Sequence, residues 1–231
     1  MLIKKYNYKS IKRKNIDSKR HYVLDGHNYD PVPSVTTILS ATAPQEDVDA
    51  LKRWRKNVGY KRANQISTQS ANRGTRVHKY LENFINTGEF ATPGTNPYAQ
   101  HANGMAACIA NYGLMLAEEV WGTEVPLFFP ELYGGTTDCV GIHDGDESII
   151  DFKQSNKLKK RKWIDSYFIQ TVAYGQAHNE LYGTNIKKGV IMMVTPNWEY
   201  QEFVIQGREY KKYENLWWNR VEKYYMKLSS I

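Results

Sequence analysis

The stretch GGTTDCVGIHDGDESIIDFK, Gly134 to Lys153, decides the fold of this 231-residue chain. It predicts two strands joined by a tight turn, because Asp144-Gly145 is a dipeptide preferred in two-residue hairpins and apolar or β-branched residues flank it. Alternate side chains of a strand point to opposite faces, so Asp151 and Lys153 share one face of the second strand. Their apolar neighbours are predicted to enter the core while this charged pair stays accessible.

The length of the turn sets which residues face each other. With Asp144-Gly145 as the loop, counting outward equally on both strands brings Asp138 opposite Asp151. A four-residue loop would set Asp138 opposite Lys153, and a three-residue loop would turn Asp138 toward the core. Two opposed carboxylates repel each other unless a cation neutralises them, and oxygen ligands favour Mg²⁺ or Mn²⁺. An exposed hairpin with scattered charges is the alternative to such a metal site.

The rest of the chain predicts helices around a β-meander. Residues 1–32 are basic and without clean periodicity, which predicts an N-terminal arm or a loosely attached edge element. Ser34 is a candidate N-cap for the short apolar run that follows. Residues 33–231 are predicted as a single α/β domain with a mixed central β-sheet flanked by helices and with an N-terminal helical part. The predicted helices span about 47–66, 70–87, 101–116, 163–182 and 209–228.

The composition narrows the class of protein. A net charge of +7 and a pI near 9.2 favour a polyanionic partner, with nucleic acid as the leading candidate. Cys108 and Cys139 are too few for a four-cysteine zinc or iron–sulfur site. The sequence contains neither an apolar run of about 18 residues nor a signal-peptide pattern. We therefore expect no membrane partner and a cytoplasmic location in a bacterium or a phage-infected host, rather than in a mitochondrion.

Several short motifs resemble those of the PD-(D/E)XK nucleases. Asp138, followed after a hairpin by Asp151-Phe152-Lys153, resembles the motif that names the superfamily, with Thr137 in the position of its proline. The segment RGTRVH, which ends at His78, resembles the GTxxH element of RecB-type nuclease domains. Gln170 with Tyr174 resembles their QxxxY motif. Together these segments are similar to the RecB-like exonucleases, a group with phage and mitochondrial genome maintenance members.

The resemblance implies a restriction-endonuclease-like core and a metal-dependent DNA exonuclease that acts on single-stranded ends. It implies Mg²⁺ or Mn²⁺ as the cofactor and DNA as the main partner, beside proteins of phage DNA metabolism, replication, repair or recombination. It implies no iron–sulfur cluster, because the cluster-bearing relatives use four cysteines. The implied site consists of the metal ligands Asp138, Asp151 and His78, the further acidic ligand Glu124, the catalytic Lys153, and the positioning residues Gln170 and Tyr174.

Two groups of basic residues are predicted to bind DNA. Arg73 and Arg76 precede His78 near a predicted helix start, where a phosphate is favourably bound. The run KLKKRK joins the strand of Lys153 to the helix of Gln170, so it lies at the edge of the site. A solvated surface is the alternative interpretation of this run. Its basic side chains are Lys157, Lys159, Lys160, Arg161 and Lys162.

Two other functions stay open from the sequence. The same core serves structure-selective and restriction-like endonucleases, which cut within a strand. A chain that keeps the fold and the charge without turnover would be a noncatalytic DNA-binding protein. Cleavage of closed circular single strands distinguishes the first from an exonuclease, and the intact acidic motif argues against the second.

Overall fold

The computed structural model describes residues 2–24 and 30–229. Short 3₁₀ turns at Leu114–Leu116 and Arg161–Trp163 accompany the regular elements. The order of helices, meander, helix, strands and helix agrees with the prediction. In chain order the described elements are β1 (Ile11–Ile16), β2 (Lys19–Leu24), β3 (Val32–Pro33), α1 (Val35–Ala41), α2 (Gln45–Val58), α3 (Tyr60–Thr87), α4 (Pro97–Tyr112), β4 (Ala117–Phe129), β5 (Tyr133–His143), β6 (Asp146–Gln154), α5 (Asp165–Tyr182), β7 (Lys188–Val194), β8 (Tyr200–Gln206) and α6 (Gly207–Ser229).

The central sheet has the strand order β4-β5-β6-β7-β8. β6 pairs with β7 in parallel, and the other neighbours pair antiparallel. On one face, Leu81 of α3 and Ile109 of α4 share a core cluster with Ile150 of β6. On the other face, α5 and α6 contribute buried residues such as Phe168 and Trp217. The predicted mixed α/β sheet flanked by helices is confirmed.

Helices pack on both faces of the sheet, and this affects the face of β6 that carries Asp151 and Lys153. Ile150 and Phe152 are buried as predicted. The prediction that Asp151 stays accessible is wrong, because α5 packs over its face of the sheet and the residue is only 1% exposed. Lys153 lies nearer the end of the strand and keeps 18% of its side chain exposed. The site therefore lies at a strand end, partly inside the domain.

The β5–β6 turn has the predicted two-residue loop. Asp144-Gly145 adopts φ values of 48° and 77°, the positive pair that a type I′ turn requires. The last ladder pair toward the site is Cys139 with Ile150. The next position on each strand places Asp138 across from Asp151, so the register prediction is confirmed.

A buried lysine holds this turn in place. The Lys188 ammonium donates a hydrogen bond of 2.8 Å to the carbonyl of His143 and one of 3.3 Å to that of Asp144. It also lies 3.5 Å from a carboxylate oxygen of Asp146. The acidic residues of the turn thus serve the turn itself, as their position in an Asp-Gly hairpin indicates.

The helix boundary predicted between residues 66 and 70 is wrong. α3 runs unbroken from Tyr60 to Thr87, and the break lies at Gly59, whose φ of 86° ends α2. The sequence from 60 to 73 contains neither glycine nor proline, so nothing there interrupts a helix. None of the α2 side chains is buried. α2 therefore lies at the edge of the domain, against α3.

Side-chain caps start two of the helices. Ser34 caps α1 as predicted, with its hydroxyl accepting a hydrogen bond of 2.9 Å from the backbone N–H of Thr37. Asn96 caps α4 in the same way, accepting from the N–H of Tyr98 at 2.9 Å. Pro97 follows as the first helical residue, which fits its fixed φ. α4 consequently begins at Pro97, earlier than the predicted residue 101.

The basic N-terminal segment forms strands where the structure describes it. β1, β2 and β3 make a three-stranded antiparallel sheet, and Ser34 bridges from its end to Gly134 of β5. Tyr6 and Tyr8 pack on His178 of α5, and their ring centroids lie 5.1 and 5.9 Å, respectively, from that of His178. Residues 25–29 of the predicted arm lie outside the described residues. Tyr6 and Tyr8, together with β2 and β3, thus contact the domain.

Two further properties bear on the sequence expectations. Cys108 and Cys139 are free, buried thiols, and burial raises the pKa of each. Across residues 2–24 and 30–229, no helix has both the length and the apolar character that a membrane span needs.

Candidate active site

The β5–β6 ladder ends where the two predicted carboxylates face each other. At this point the Asp138 carboxylate accepts a hydrogen bond of 2.7 Å from the backbone N–H of Phe152. A side-chain oxygen thus takes the place of a backbone acceptor, and the two strands separate. β6 keeps its pairing with β7 over the same residues, so the opening lies on one side of β6.

Three candidate metal ligands meet at this opening. Nδ1 of His78, from α3, lies 3.3 Å from Oδ1 of Asp138. A carboxylate oxygen of Glu124, from β4, completes a group whose ligand atoms all lie within 4.8 Å of one another. The sequence pattern alone gave no geometric link between the helix and the two strands that supply these side chains.

The backbone of Glu124 adopts an unusual conformation. Its φ is 48°, in the left-handed region that few non-glycine residues enter. The β4–β5 register is constant from Gly122 to Phe129, but the pair that would join Glu124 to Asp138 is missing from the ladder. Such strained positions cluster at functional sites, where the strain fixes the direction of a side chain.

Asp151 has a different partner from Asp138. Oδ2 of Asp151 forms an ion pair with Nζ of Lys153, two residues further along the same face of β6. Nζ of Lys153 also lies 5.1 Å from the centre of the Tyr167 ring, on α5. Asp138 and Asp151 face each other across the two strands. The ligand atoms that lie within 4.8 Å of one another, however, belong to Asp138, His78 and Glu124.

Burial and charge act in opposite directions on the carboxyl groups. Burial alone would raise the pKa of Asp138, but attraction to His78 and Lys153 lowers it below its ordinary value. Burial raises the pKa of Asp151 to about 6 against the attraction of Lys153. Burial, together with the charge of Asp138, raises the pKa of Glu124. A cation at this place would favour the ionised form of all three groups.

Acidic neighbours favour the charged forms of the two basic groups. Burial would lower the pKa of His78, but the charge of Asp138 and its hydrogen bond raise it. Burial would also lower the pKa of Lys153, and the charges of Asp151 and Asp138 raise it instead. At neutral pH, Lys153 is accordingly a donor of hydrogen bonds and a positive charge.

The donor set fits a divalent cation. Carboxylate oxygens from Glu124 and Asp138 suit Mg²⁺ and Mn²⁺, and the imidazole nitrogen of His78 suits transition metals. The mixed set therefore fits Mn²⁺ at least as well as Mg²⁺. Both ions leave coordination positions for water and for phosphate oxygens.

Gln170 and Tyr174 lie one turn apart on α5, and Tyr174 lies near the carboxylates of Asp138 and Asp151. Burial raises the pKa of Tyr174, and the nearby charges of Asp151 and Asp138 add to this effect, while a hydrogen bond from Gln170 opposes it. The Tyr174 ring needs a glycine opposite it, because a Cβ on Gly135 would lie 2.7 Å from its Cε1 atom. Tyr174 is thus fixed between α5 and β5, close to both acidic residues.

An open groove, the site groove, leads to these side chains. It consists of two adjoining cavities of about 440 and 500 Å³, which share Gln154 and Tyr167 in their walls. His78 and Lys153 line the first cavity, and Trp54 of α2 lines the second. A larger cavity of about 810 Å³ lies around the β5–β6 turn, at the other end of β6. The site groove thus opens beside His78 and Lys153.

The basic run between β6 and α5 contains one residue with a structural role. The Arg161 guanidinium donates hydrogen bonds of 3.0 and 2.6 Å to the two carboxylate oxygens of Glu209 and one of 2.6 Å to the carbonyl of Val204. These contacts attach the run to α6. Lys157 and Lys159, by contrast, line the site groove, where the prediction of DNA contact applies.

The arginines before His78 both line a groove between α3 and α4, and Arg73 also reaches the wall of the site groove. Arg73 donates a hydrogen bond of 2.8 Å to the side-chain oxygen of Gln154 and another to Asn156. Arg76 lines the same groove between α3 and α4. Neither lies at a helix start, because α3 begins at Tyr60. The prediction that a helix dipole assists phosphate binding at these two residues is therefore wrong.

Tyr167 and Gln154 belong to the site although no motif indicated them. Tyr167 precedes Gln170 by three residues, so helical spacing could have placed it on the same face of α5. Gln154 directly follows Lys153 and donates a hydrogen bond of 2.7 Å to the hydroxyl of Ser70 on α3. That contact depends on the approach of α3 to β6, which no local pattern specifies.

Sequence comparison links the chain to a known protein. It is 27% identical over 210 residues to mitochondrial genome maintenance exonuclease 1 of Mus musculus. The predicted resemblance is confirmed. The match covers 87% of this chain and 61% of the relative, so the chain spans about three fifths of the relative's length. No protein-family model matches the chain.

Comparison with solved structures finds more distant likenesses. A candidate exonuclease from Eubacterium rectale matches at 16% identity and a TM-score of 0.46, covering 67% of this chain and 64% of that one. An alkaline exonuclease from Laribacter hongkongensis matches at 15% identity and a TM-score of 0.26, covering 68% and 84%. At these values neither structure contributes to the functional assignment.

Proposed function

We propose that this protein is a divalent-metal-dependent DNA exonuclease that hydrolyses phosphodiester bonds from single-stranded ends. The observation that carries the proposal is the cluster of His78, Glu124 and Asp138 beside the Asp151–Lys153 ion pair, at the end of an open groove. The exonuclease name of the mouse relative supports the same reaction.

The residues divide the chemistry among them. A Mg²⁺ or Mn²⁺ ion bound here would polarise a phosphate oxygen and lower the pKa of a water molecule. His78, Glu124 and Asp138 are the side chains that would hold it, with Asp151 as the further ligand implied by the family motif. Lys153, kept protonated by its acidic neighbours, donates hydrogen bonds to the attacking water or to a phosphate oxygen and stabilises the charge that develops there.

The site groove suits an unpaired strand. Trp54 and Tyr167 provide aromatic faces, and Lys157 and Lys159 provide positive charge along the same walls. Bases stack on aromatic rings with little regard to sequence, while lysines follow the phosphates. This combination supports single-stranded DNA as the substrate.

A degradation assay on three substrates tests the proposal. End-labelled linear single strands, linear duplexes and covalently closed single-stranded circles are incubated with Mg²⁺, with Mn²⁺ and with EDTA. We expect linear single strands to shorten progressively only when a metal is present, and circles to persist. Cut circles would instead support the endonuclease alternative. Binding of linear strands without degradation in either metal would support the noncatalytic one.

A further inference from the structure

A second groove lies between α3 and α4. This groove has a volume of about 420 Å³, and we call it the α4 groove. Two guanidinium groups and no carboxylate line it, so its charge is positive. Its walls are formed by Gln69, Asn72, Arg73, Arg76, Tyr98 and His101.

Arg73 stands between the two grooves. Its guanidinium lines the α4 groove and donates to Gln154, which lines the site groove. Different faces of α3 supply the two walls, with Ser70 and His78 toward the site groove and Arg76 toward the α4 groove. Arg73 therefore connects the walls of the two grooves.

The turn between β7 and β8 places an indole next to the α4 groove. The Trp198 ring centroid lies 6.2 Å from that of His101, and the residue is 57% exposed. The backbone carbonyl of Trp198 accepts a hydrogen bond from Sγ of Cys108, and its backbone N–H donates one of 2.9 Å to the carbonyl of Thr195. His101 is also hydrogen-bonded, at 2.8 Å, to the carbonyl of Pro196. The turn is thus fixed to α4 at several points.

Core packing does not account for this indole. Trp198 has a φ of 62°, in the left-handed region that is unfavourable for a bulky residue. One edge of its ring lies over Gly104, where a Cβ would come within 3.2 Å of the indole, and the rest faces solvent. Tyr98, in the groove wall, is 73% exposed. Two exposed aromatic side chains thus flank a groove that holds two arginines.

We propose that Trp198 and Tyr98 stack on unpaired bases of a DNA strand whose phosphates contact Arg73 and Arg76. The inference rests on the proposed function and adds to it a second single-strand subsite, on the α4 side of α3. The occupant is single-stranded because the faces of paired bases are already covered by their neighbours in the duplex. Stacking of this kind does not depend on base identity, so the subsite adds affinity without sequence preference.

The first test measures how affinity depends on strand length. The full chain carrying Asp151→Asn, and the unsubstituted chain in EDTA, are titrated against oligothymidylates of increasing length by fluorescence anisotropy. We expect Trp198→Ala to weaken binding of the long oligomers by about 5- to 150-fold, the range for removal of one base stack, and to leave the shortest bound oligomer unaffected. Tyr112→Ala is the matched control, because Tyr112 is another exposed aromatic residue of α4. The Tyr112→Ala substitution is expected to leave the binding of both the long oligomers and the shortest bound oligomer unchanged.

The second test separates stacking from a disturbed loop. A single abasic nucleotide is moved along a long oligomer, and we expect one position at which it weakens binding only when Trp198 is present. A disturbed loop would lower affinity at every position alike and would overturn the proposal. Equal length dependence with and without Trp198 would also overturn it. If no single strand binds in either background, the proposed function fails together with the subsite.

Discussion

Asp151 combines almost complete burial with an ion pair to Lys153. Asp151→Asn keeps the shape of the side chain but removes the charge that Lys153 neutralises in a buried position. We expect the rate of metal-dependent degradation of linear single strands to fall by about 10³-fold or more, with DNA affinity largely retained. The rate is followed by gel electrophoresis of end-labelled strands, and the affinity by anisotropy in EDTA.

Asp146→Asn is the matched control for this change. Asp146 lies on the same hairpin, at its exposed turn, where its contact is with Lys188. We expect the control protein to degrade DNA at the rate of the unsubstituted chain. Undiminished degradation by the Asp151→Asn protein would remove Asp151 from the mechanism.

The β5–β6 hairpin is stabilised by the strands on either side of it as well as by its own turn. β5 is paired to β4 and β6 to β7, so neither strand is free to slide when the loop changes. An alanine inserted between Asp144 and Gly145 is expected to bulge from the turn, to disturb the Lys188 contacts and to lower the melting temperature. Degradation of single strands is expected to persist, because the carboxylates keep their register.

The same insertion within β6 provides the comparison. Placed after Ser148, the extra residue lies between two paired neighbours and turns Asp151 toward the wrong face. We expect this protein to have lost degradation. Loss of activity in a folded turn-insertion protein would show that the turn alone sets the register of the site.

The loop between β6 and α5 offers charges that can be removed without breaking the fold. Lys157, Lys159, Lys160 and Lys162 are replaced by glutamine together, and Arg161 is kept because it anchors the loop to α6. For single strands, we expect the slope of log affinity against log salt to become shallower by about 0.7 for each phosphate that the protein no longer neutralises. Binding is measured by anisotropy at several salt concentrations.

Lysines on α6 serve as the control for total charge. Lys211, Lys212, Lys223 and Lys227 lie on that helix, away from the site groove in sequence and in position. Replacing them is expected to leave the slope nearly unchanged. Equal changes in both proteins would assign the loop to the solvated surface rather than to a DNA contact.

The N-terminal segment and the α/β domain share an aromatic cluster around His178. His178 is fully buried, near Tyr6, Tyr8 and Tyr182, and bonded to Thr184 at 2.8 Å. Burial, assisted by the charge of Lys5, lowers its pKa to about 4, whereas an unfolded histidine has a pKa of about 6.5. The folded state therefore favours the neutral ring.

This difference makes the stability of the whole chain depend on pH. Because the unfolded state binds a proton more tightly, the contribution of His178 is fully present above about pH 6.5 and is lost as the pH falls toward about 4. We expect up to about 3 kcal/mol of the free energy of unfolding to be lost in that interval. Urea unfolding at pH 7 and pH 4.5 measures it.

His178→Gln identifies the contribution of this one group. The glutamine can still hydrogen-bond Thr184 but does not titrate, so the variant is expected to lose less stability between the two pH values than the unsubstituted chain. Other acidic and basic groups contribute equally to both proteins. An identical loss in the two would place the pH dependence elsewhere in the molecule.

The features that could be predicted from the sequence depend on residues that are close to each other along the chain. Strand alternation and the Asp144-Gly145 turn were enough to place Asp138, Asp151 and Lys153 on one face, and the family motifs led to His78. The burial of Asp151 could not be predicted in this way, because α5, which covers it, follows later in the chain. Contacts between distant elements decide such features.

Unusual backbone conformations were the second kind of feature that could not be predicted from the sequence. The left-handed Glu124 lies in an ordinary β-sequence, and the strained turn at Trp198 carries no motif. Gly59 signals a helix end only once it is known that α2 and α3 are separate helices. Each of these positions depends on packing around it, so periodicity and turn chemistry do not indicate them.

The hydrogen bond from the Phe152 N–H to Asp138 has a consequence for anyone who wishes to move this site to another protein. The acidic side chain occupies the gap that it helps to keep open between β5 and β6. Two carboxylates copied onto an unbroken ladder would lie side by side with no room for an ion or a phosphate. A transplant would have to carry the interrupted pairing along with the residues, since in this sheet the gap and the ligand form a single unit.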